Sequence, residues 1–278
     1  MIKLLTLLLC ATSVLADAAK SLCGTYISEE AKVAAEAQFR ANKVESSLVP
    51  GAYTPASLNI YFHIIHPDHS GSTDVSQATL KEQMRIINIG FSDPKIHWKL
   101  GGVTHTVNPN WYRMRVWSSD EVNMKAKLRQ GGAADLNVYV VGRVIDGDMS
   151  RAGYSTFPWD YPGNPQFDGV LLAAWSLPGG ELPYNLGHSL THEAGHWVGL
   201  LHPFQGGCYG DGDFVADTPA EGQETYGCPT NKDTCRGGGP DPIHNYMDYS
   251  DDTCKNHFTK GQIKRLRDQI ATFRGIPW

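Results

Sequence analysis

The sequence predicts an α+β fold for this chain of 278 residues. Three runs rich in β-branched and aromatic residues predict strands, at residues 58–66, 136–144 and 169–175. Apolar residues at helical spacing lie before, between and after these runs and predict helices. Apolar residues make up 41% of the chain, which is ample for a packed core and argues against global disorder.

The elements are predicted as follows, from the N-terminus. Ser28 is a suitable N-cap, and the Glu-, Ala- and Lys-rich residues after it predict a helix over 28–43. Pro and Gly residues predict a linker over 46–55. The remaining predicted elements are a strand over 58–66, a helix over 75–91, strands over 96–107 and 111–117, a helix over 120–129, strands over 136–144 and 169–175, and helices over 187–199 and 259–273. Residues 203–252 are rich in Gly, Asp and Cys, and this composition predicts a largely irregular segment.

The first residues resemble a secretory signal rather than a folded element. Lys3 is followed by an apolar stretch over 4–14 and by the small residue Ala16, which predicts a signal peptide over 1–16 and an extracellular mature protein. The stretch is too short for a membrane anchor. A net charge of −5 without any Lys/Arg-rich block argues against nucleic-acid binding. We therefore expect a secreted monomer with neither a membrane nor a nucleic acid as its partner.

The cysteines agree with export. Cys10 belongs to the predicted signal, and Cys23 stands alone near the mature N-terminus. Four more lie close together in the C-terminal part, which in an exported protein predicts two disulfides: Cys208, Cys228, Cys235 and Cys254. Four cysteines allow three pairings, and their spacing alone does not choose among them.

The most informative segment is HEAGHWVGLLH, residues 192–202. His192 and His196 are four residues apart, so on a helix they project from one face and can bind one metal ion. Glu193 is not spaced as a ligand, and it is placed to take a proton from metal-bound water. The sequence therefore predicts a zinc centre with a general base beside it.

A third ligand requires the helix to end. On a continuous helix, His202 would lie roughly 15 Å along the axis from His192, too far for bonds of about 2.0–2.1 Å to one zinc ion. Gly199 stands between His196 and His202 and can adopt the positive φ that ends a helix. Three protein ligands leave a fourth position open, which is the catalytic arrangement of zinc.

These residues match the metzincin signature H-E-x-x-H-x-x-G-x-x-H, and the chain resembles the pappalysin family, including secreted fungal-type extracellular metalloproteases. The matching stretches are YNLGHSLTHEAGHWVGLLHPFQGGC (184–208), GDFVADTPAE (212–221) and NYMDYSDDTC (245–254). The resemblance implies a metzincin fold, with a twisted mixed sheet, an active-site helix and an irregular, disulfide-bonded C-terminal subdomain. It is dense over residues 169–254 and loose before them.

The resemblance also implies roles for single residues. Met247 corresponds to the methionine of the turn beneath the zinc, where it packs without needing to touch the metal. Tyr249 is either a hydrogen-bond donor to the developing oxyanion or simply a packed tyrosine. The strand over 169–176 is either the edge that an extended substrate joins as an antiparallel strand or an ordinary strand of the sheet.

Further expectations rest on the same resemblance. It implies the crossed disulfides Cys208–Cys235 and Cys228–Cys254. Asp252, more than Asp251, is expected to favour Arg or Lys after the scissile bond; the alternative is that both acids belong to a solvated loop. A calcium ion is also expected, and the oxygen ligands that it would take are Asp211, Asp213, Asp217 and Thr218.

Cys23 lies ahead of a helix and a linker, in the position of a prosegment over 17–52 that precedes a catalytic domain over 53–278. A thiolate is a good zinc ligand, so Cys23 would block the fourth zinc position until the linker is cleaved. Gly24 would let the backbone enter a crowded cleft. The alternative is a free or intermolecularly paired thiol at a mobile terminus.

The function that the sequence favours is a secreted zinc-dependent endopeptidase acting on proteins or peptides, with water activated by Glu193. One alternative is a catalytically weak secreted binding protein that keeps zinc for stability, but a purely structural site has no use for Glu193. A zinc hydrolase of non-peptide amides is a second alternative, which the likeness around Met247 disfavours.

Overall fold

The computed structural model describes residues 20–44, 53–71 and 75–277. The predicted signal peptide and most of the predicted 46–55 linker lie outside the described residues. Within the described ranges, no helix is both long enough and apolar enough to cross a lipid bilayer.

Strands and helices alternate along the first two thirds of the chain. The strands are β1 (Lys20–Cys23), β2 (Ala56–His66), β3 (Ile96–Val107), β4 (Arg113–Arg115), β5 (Asp135–Val141), β6 (Arg143–Asp146), β7 (Met149–Ser155) and β8 (Val170–Ala173). The α-helices are α1 (Glu29–Asn42), α2 (Gln77–Gly90), α3 (Pro109–Tyr112), α4 (Ser119–Leu128), α5 (His188–Trp197) and α6 (Lys260–Arg274).

All described strands join one mixed sheet in the order β3-β2-β5-β8-β7-β6-β4, with β1 added against β7. The pairs β2–β3, β2–β5 and β5–β8 are parallel, whereas β7 runs antiparallel to both β6 and β8. The predicted α+β class and mixed sheet are therefore confirmed.

Apolar side chains cover both faces of this sheet. In β5, Val138 and Val140 belong to the main core with α5 and α6, whereas Tyr139 and Val141 belong to a second core on the opposite face with α3 and α4. This alternation is what a strand buried on both sides requires. The sheet therefore holds α5, the helix of the HEAGH segment, rigidly against its main face.

The helices begin where their capping residues predict. Ser28 accepts a hydrogen bond from the N–H of Ala31 at the start of α1. Thr259 and Gln262 form a reciprocal capping box at the start of α6. These local signals explain why the helix predictions agree closely with the structure.

Two strand predictions are wrong in detail. The run predicted as one strand over 136–144 is divided into β5 and β6 at Gly142, where a Cβ atom would overlap the ring of Tyr112. The run predicted as a strand over 111–117 contains the end of the short helix α3 and only three strand residues. Pro109 at the start of α3, together with the Asn108 cap, explains the helical turn.

The structure decides between the two interpretations of residues 169–176 in favour of an ordinary strand of the sheet. Strand β8 lies inside the sheet, paired with β5 on one side and β7 on the other, so residues 169–176 offer no free edge. The outer side of β7 is the edge that β1 occupies. The sequence MSRAGYS of β7 lacks an alternating apolar pattern, which is why it was not predicted as a strand.

The segment between α5 and α6 is largely irregular, as predicted, and two disulfides cross-link it. Cys208 pairs with Cys235 and Cys228 with Cys254, the same pairs that the resemblance implies. Each bridge closes a loop of similar length, with sequence separations of 27 and 26 residues. Such cross-links stabilise a segment that has little regular structure by restricting its unfolded states.

Candidate zinc centre and its catalytic groups

The three predicted metal ligands converge on one point. The Nε2 atoms of His192, His196 and His202 are separated by 3.0 to 3.2 Å in all three pairs. Three nitrogens bound tetrahedrally to one zinc ion at about 2.0–2.1 Å would lie roughly 3.3 Å apart. The triangle therefore has the size that one zinc ion requires.

The opposite ring nitrogens show which atoms are available to a metal. Nδ1 of His192 lies 2.7 Å from the carbonyl oxygen of Tyr246, and Nδ1 of His196 lies 2.8 Å from that of Leu200. A nitrogen facing a carbonyl must carry the proton, so Nε2 of each ring presents a lone pair. Burial lowers the pKa of His192, and it lowers that of His196 to about 4, so both rings stay neutral. Converging neutral lone pairs fit a cation.

Gly199 brings the third histidine to the site. Helix α5 ends at Trp197, and Gly199 has a φ of +100°, which side chains other than glycine rarely adopt. The side chain of Gln269 would contact a Cβ atom here at 2.6 Å. Conformation and space together therefore require glycine where the chain turns towards His202.

Met247 forms the floor beneath the histidines. Its side chain is fully buried, and its sulfur packs so closely on Gly195 that a Cβ atom at that glycine would overlap it. Asn245 fixes the turn by accepting a hydrogen bond from the N–H of Met247 at 2.9 Å. The neighbouring Tyr246 carbonyl orients His192, so the turn acts on the site through packing and one hydrogen bond.

Glu193 lies beside the histidines without joining them. Burial raises the pKa of its carboxyl group to about 8, and Oε1 has no hydrogen-bond partner among the described residues. A Cβ atom at Gly153 of β7 would lie 2.6 Å from Cγ of Glu193. Gly153 was not predicted as a site residue, yet only glycine leaves room for this carboxylate beside the sheet edge.

Tyr249 extends towards the same centre. Its ring meets that of His202 edge-on, with centroids 5.0 Å apart, and its hydroxyl donates to the carbonyl oxygen of Cys23 at 3.2 Å. Burial raises the pKa of the phenol well above its ordinary value, so the hydroxyl stays protonated and can donate. The hydroxyl is therefore a hydrogen-bond donor beside the histidines.

Cys23 reaches this centre from 173 positions away in the sequence. Its Sγ lies 3.6 Å from Nε2 of His196, and the thiol and the three imidazoles form one possible metal-binding group, with ligand atoms within 4.8 Å of one another. Zinc bound to sulfur at about 2.3 Å and to nitrogen at about 2.05 Å would separate these atoms by about 3.6 Å. The distance between Cys23 and His196 therefore has the size that shared binding of one zinc ion requires.

Two residues after Cys23, Thr25 contacts the carboxylate of Glu193. The hydroxyl of Thr25 donates to Oε2 of Glu193 at 3.2 Å and accepts from the N–H of Ser155 at 2.8 Å. The backbone N–H of Thr25 donates to Sγ of Cys23 at 3.2 Å. Thr25 could not be predicted as a site residue, because no local pattern connects it with Glu193, 168 positions away.

Asp252 is buried beside the loop that leads into α5. Its Oδ2 accepts from the N–H groups of Leu186 at 2.8 Å and His188 at 3.4 Å, and Oδ1 lies 3.9 Å from Nζ of the buried Lys255. Asp251 instead accepts from the N–H of Gly227 at 3.1 Å. The carboxylate of Asp252 is therefore held by the loop before α5 and faces the ammonium group of Lys255.

The residues expected to hold calcium separate into two groups. Asp211, Asp213 and Thr218 line one cavity of about 390 Å³. Oδ2 of Asp213 and Oγ1 of Thr218 are buried there without a hydrogen-bond partner among the described residues. Asp217 is turned away, because its carboxylate accepts from the Thr259 hydroxyl and the Gly261 N–H at the start of α6. Asp217 is therefore not among the residues that line this cavity.

Together, the sheet, the histidine triangle, the adjacent glutamate and the methionine turn define a metzincin-type zinc metalloprotease. The family model described as pregnancy-associated plasma protein-A, peptidase M43, matches residues 129–271. The chain belongs to this family.

Relatives in fungi support the assignment over the whole chain. An extracellular metalloprotease of Colletotrichum graminicola is 42% identical over 92% of this chain and 92% of its own. Extracellular metalloprotease 1 of Coccidioides posadasii is 42% identical over 83% of this chain and 82% of its own. The chain is therefore a secreted zinc-dependent endopeptidase that acts on proteins or peptides.

Two solved structures of one bacterial protein are similar. Tannerella forsythia mature mirolysin, solved with a cleaved peptide, has a TM-score of 0.63 and 28% identity, covering 77% of this chain and 91% of its own. A promirolysin variant from the same organism has a TM-score of 0.72 and 25% identity, covering 91% of this chain and 95% of its own. The predicted metzincin fold is thereby confirmed.

Proposed function

We propose that His192, His196 and His202 hold the catalytic zinc ion and that Glu193 is the general base. The observation that carries this proposal is the triangle of neutral Nε2 atoms with spacings of 3.0 to 3.2 Å. Zinc bound here supplies Lewis-acid chemistry, polarising the scissile carbonyl and making water more acidic. Glu193 takes a proton from water and delivers it to the leaving amine, while Tyr249 donates a hydrogen bond to the carbonyl oxygen.

Substrate would bind along the outer edge of β7. An extended peptide adds to a free sheet edge through main-chain hydrogen bonds, and β7 passes directly beside Glu193 at Gly153. We expect the peptide to run antiparallel to β7. The chain would act as a monomer on peptides, without a nucleic-acid or membrane partner.

Residues 17–52 would form a prosegment that keeps the catalytic domain, 53–278, latent. Three contacts support this: Cys23 at the histidines, Thr25 on Glu193, and the Cys23 carbonyl on the Tyr249 hydroxyl. Strand β1 runs parallel to β7, opposite to the direction expected for substrate, so it fills the edge without presenting its peptide bonds in the productive direction.

Helix α1 would anchor the prosegment to the body of the domain. Lys32 is buried and donates to the Gly212 carbonyl at 2.9 Å, while Glu36 pairs with Arg265 of α6 at 2.8 Å. The larger share of this chain that promirolysin covers, 91% against 77% for the mature form, also supports a prosegment. Cleavage in the linker would remove α1 and β1 together.

Metal removal tests the zinc assignment. In a processed form that begins at Ala52, prolonged chelation is expected to abolish peptide hydrolysis, and stoichiometric zinc is expected to restore it, because Lewis-acid chemistry has no substitute among these side chains. Zinc content and hydrolysis of a quenched fluorescent peptide are measured on the same samples. Full turnover by protein proved free of zinc would contradict the assignment.

A calcium ion would bind in the cavity of Asp211, Asp213 and Thr218, three of the four residues originally expected. The support is the pair of buried oxygens without hydrogen-bond partners, and oxygen ligands are those that calcium prefers. Burial raises the pKa of Asp213 to about 7. A cation would offset the cost of ionising this buried carboxyl group.

Calcium is therefore expected to stabilise the protein more at pH 8 than at pH 6. The folded-state pKa of Asp213 is raised, so its contribution to stability is present below the ordinary pKa of about 3.9 and is lost as pH rises through about 7. Ligand at 100 times its Kd stabilises by about 2.7 kcal/mol, and about 1 kcal/mol shifts the Tm of a domain this large by about 2–4 °C. Calorimetry after exhaustive removal of calcium measures the shift. Asp213→Asn should abolish it without loss of zinc, and an unchanged wild-type Tm at pH 8 would refute the site.

A preference for Arg or Lys after the scissile bond remains a proposal that rests on Asp252. Its carboxylate is buried in the wall formed by the loop before α5 and the segment after Met247. Because Lys255 faces the same carboxylate, the strength of this preference depends on a second residue.

A further inference from the structure

A fully buried leucine of the N-terminal segment packs into an apolar side-chain cluster beside the zinc centre, and the space that it fills is called the Leu22 pocket here. Leu22 directly precedes Cys23 and lies in an apolar cluster with Ala152 of β7, Tyr184 and Tyr249. Neighbouring side chains on a strand point to opposite sides. While Cys23 faces His196, Leu22 therefore occupies the adjacent pocket, as a substrate side chain next to the scissile bond would.

The register of β1 indicates which substrate residue would use this pocket. Lys20 pairs with Ser150 and Cys23 with Gly153, so Leu22 lies from Cys23 towards the start of β7. A substrate antiparallel to β7 would place the residues that follow its scissile bond in that direction. The pocket of Leu22 therefore corresponds to the residue just after the bond, the P1′ residue.

Tyr184, which packs in the same cluster as Leu22, lies next to the buried charged side chain of Lys255. Tyr184 is fixed by a hydrogen bond from its hydroxyl to the Tyr249 carbonyl at 2.9 Å. Nζ of Lys255 lies 5.1 Å from the centroid of the Tyr184 ring. Burial lowers the pKa of Lys255 to about 8, so the amine is mostly charged at neutral pH.

Lys255 is fully buried, and its ammonium group is only partly compensated. Nζ and Oδ1 of Asp252 are 3.9 Å apart, a distance that allows ionic attraction but not a hydrogen bond. Neither atom has a hydrogen-bond partner among the described residues. The other oxygen of Asp252 is taken by the N–H groups of Leu186 and His188. The pair therefore leaves one donor group and one acceptor oxygen unsatisfied.

We propose that Lys255 is a specificity-determining residue, whose positive charge limits the selection of basic P1′ side chains by Asp252. This inference rests on the proposed function and refines its substrate preference. A basic P1′ group would gain attraction from Asp252 but meet repulsion from Lys255, and both act strongly because they are buried. An uncharged side chain such as leucine, the residue that the prosegment places here, experiences neither the attraction nor the repulsion.

The experiment compares two peptides that differ only at P1′, one with Arg and one with Leu, in the processed form of each variant. Lys255→Met removes the charge and keeps the length of the apolar stem, and is expected to raise the Arg/Leu ratio of kcat/KM by about tenfold or more. Lys255→Gln keeps a polar group without charge and should raise the ratio in the same direction. Lys255→Arg keeps the charge, and its ratio should stay close to that of the wild type.

A double variant identifies the partner of Lys255. Adding Asp252→Asn to Lys255→Met should cancel the rise, because the carboxylate that attracts the basic side chain is then neutral, while asparagine can still accept from Leu186. An unchanged ratio in both Lys255→Met and Lys255→Gln, with the Leu peptide still cleaved, would overturn the proposal. Failure of the wild-type protein to cleave either peptide would instead count against the proposed catalytic site.

Discussion

Replacement of Glu193 by alanine in the processed form is expected to lower kcat by a factor of about 10²–10⁴ while zinc stays bound. The three imidazoles define the metal-binding group without Glu193, so removal of its carboxylate leaves the ligands intact. The reaction loses the group that accepts the proton from water and returns it to the amine. Single-turnover and steady-state hydrolysis, measured with zinc content, separate these effects.

Glu193→Gln is the matched control for this substitution. Glutamine fills the same space beside Gly153 and can still accept a hydrogen bond from Thr25 in the full chain, but it cannot accept a proton from water. Both variants should therefore show the same loss. Near-normal turnover by zinc-loaded Glu193→Ala would refute the role of this residue as the general base.

The full chain is expected to be latent, and Cys23→Ala should raise its activity by at least about tenfold. An intramolecular ligand acts at an effective concentration of mM order or higher, so the thiolate competes strongly with water for the fourth zinc position. Cleavage in the linker should have the same effect, since it releases Cys23 and Thr25 together. Initial rates are compared for the full chain, Cys23→Ala and the form that begins at Ala52.

Two further variants of the full chain separate the contributions to latency. Thr25→Val keeps the shape of the side chain and removes only the hydroxyl that contacts Glu193, so we expect a smaller increase than for Cys23→Ala. Val33→Ala changes an exposed position of α1 and should remain latent. Equal activity of the full chain, the Cys23 variant and the processed form would show that Cys23 has no inhibitory role.

Elements with strong local signals were predictable from the sequence. Ser28 and Thr259 are the N-caps of α1 and α6, close to the predicted starts of these helices. The apolar run of β5 supplies residues alternately to the two cores. Strand β7 could not be predicted, because its residue types suit contacts in the folded protein rather than an alternating apolar pattern. Gly153 makes room for Glu193, and this requirement arises only after α5 has packed against the sheet.

The residues of the candidate site also fall into those that the sequence predicts and those that only the fold brings together. His192, Glu193 and His196 follow from helical spacing, and Gly199 explains how His202 joins them. Cys23 contacts His196 and Thr25 contacts Glu193, and each pair is more than 160 positions apart. Only the fold brings these residues together. The hypothesis that Cys23 faces the metal came from its isolation among the cysteines, whereas nothing in the sequence pointed to Thr25.

Asp252 shows a second limit of sequence reasoning. Its acidic character and its position after Met247 were visible, but its two backbone donors and the facing Lys255 were not. A carboxylate in a loop attracts basic groups only to the extent that its own neighbours leave it uncompensated. The hydrogen bonds that the Asp217 carboxylate accepts at the start of α6 were likewise not visible in the sequence.

The most direct test of the central claim is the zinc coordination of the full chain before and after processing, measured by X-ray absorption at the zinc edge. We expect three nitrogen ligands and one sulfur at about 2.3 Å in the full chain, because Cys23 lies with the three histidines. In the processed form, the sulfur should be lost and only nitrogen and oxygen ligands should remain as activity appears. A full chain without a sulfur ligand, or an active processed form that retains one, would contradict the account.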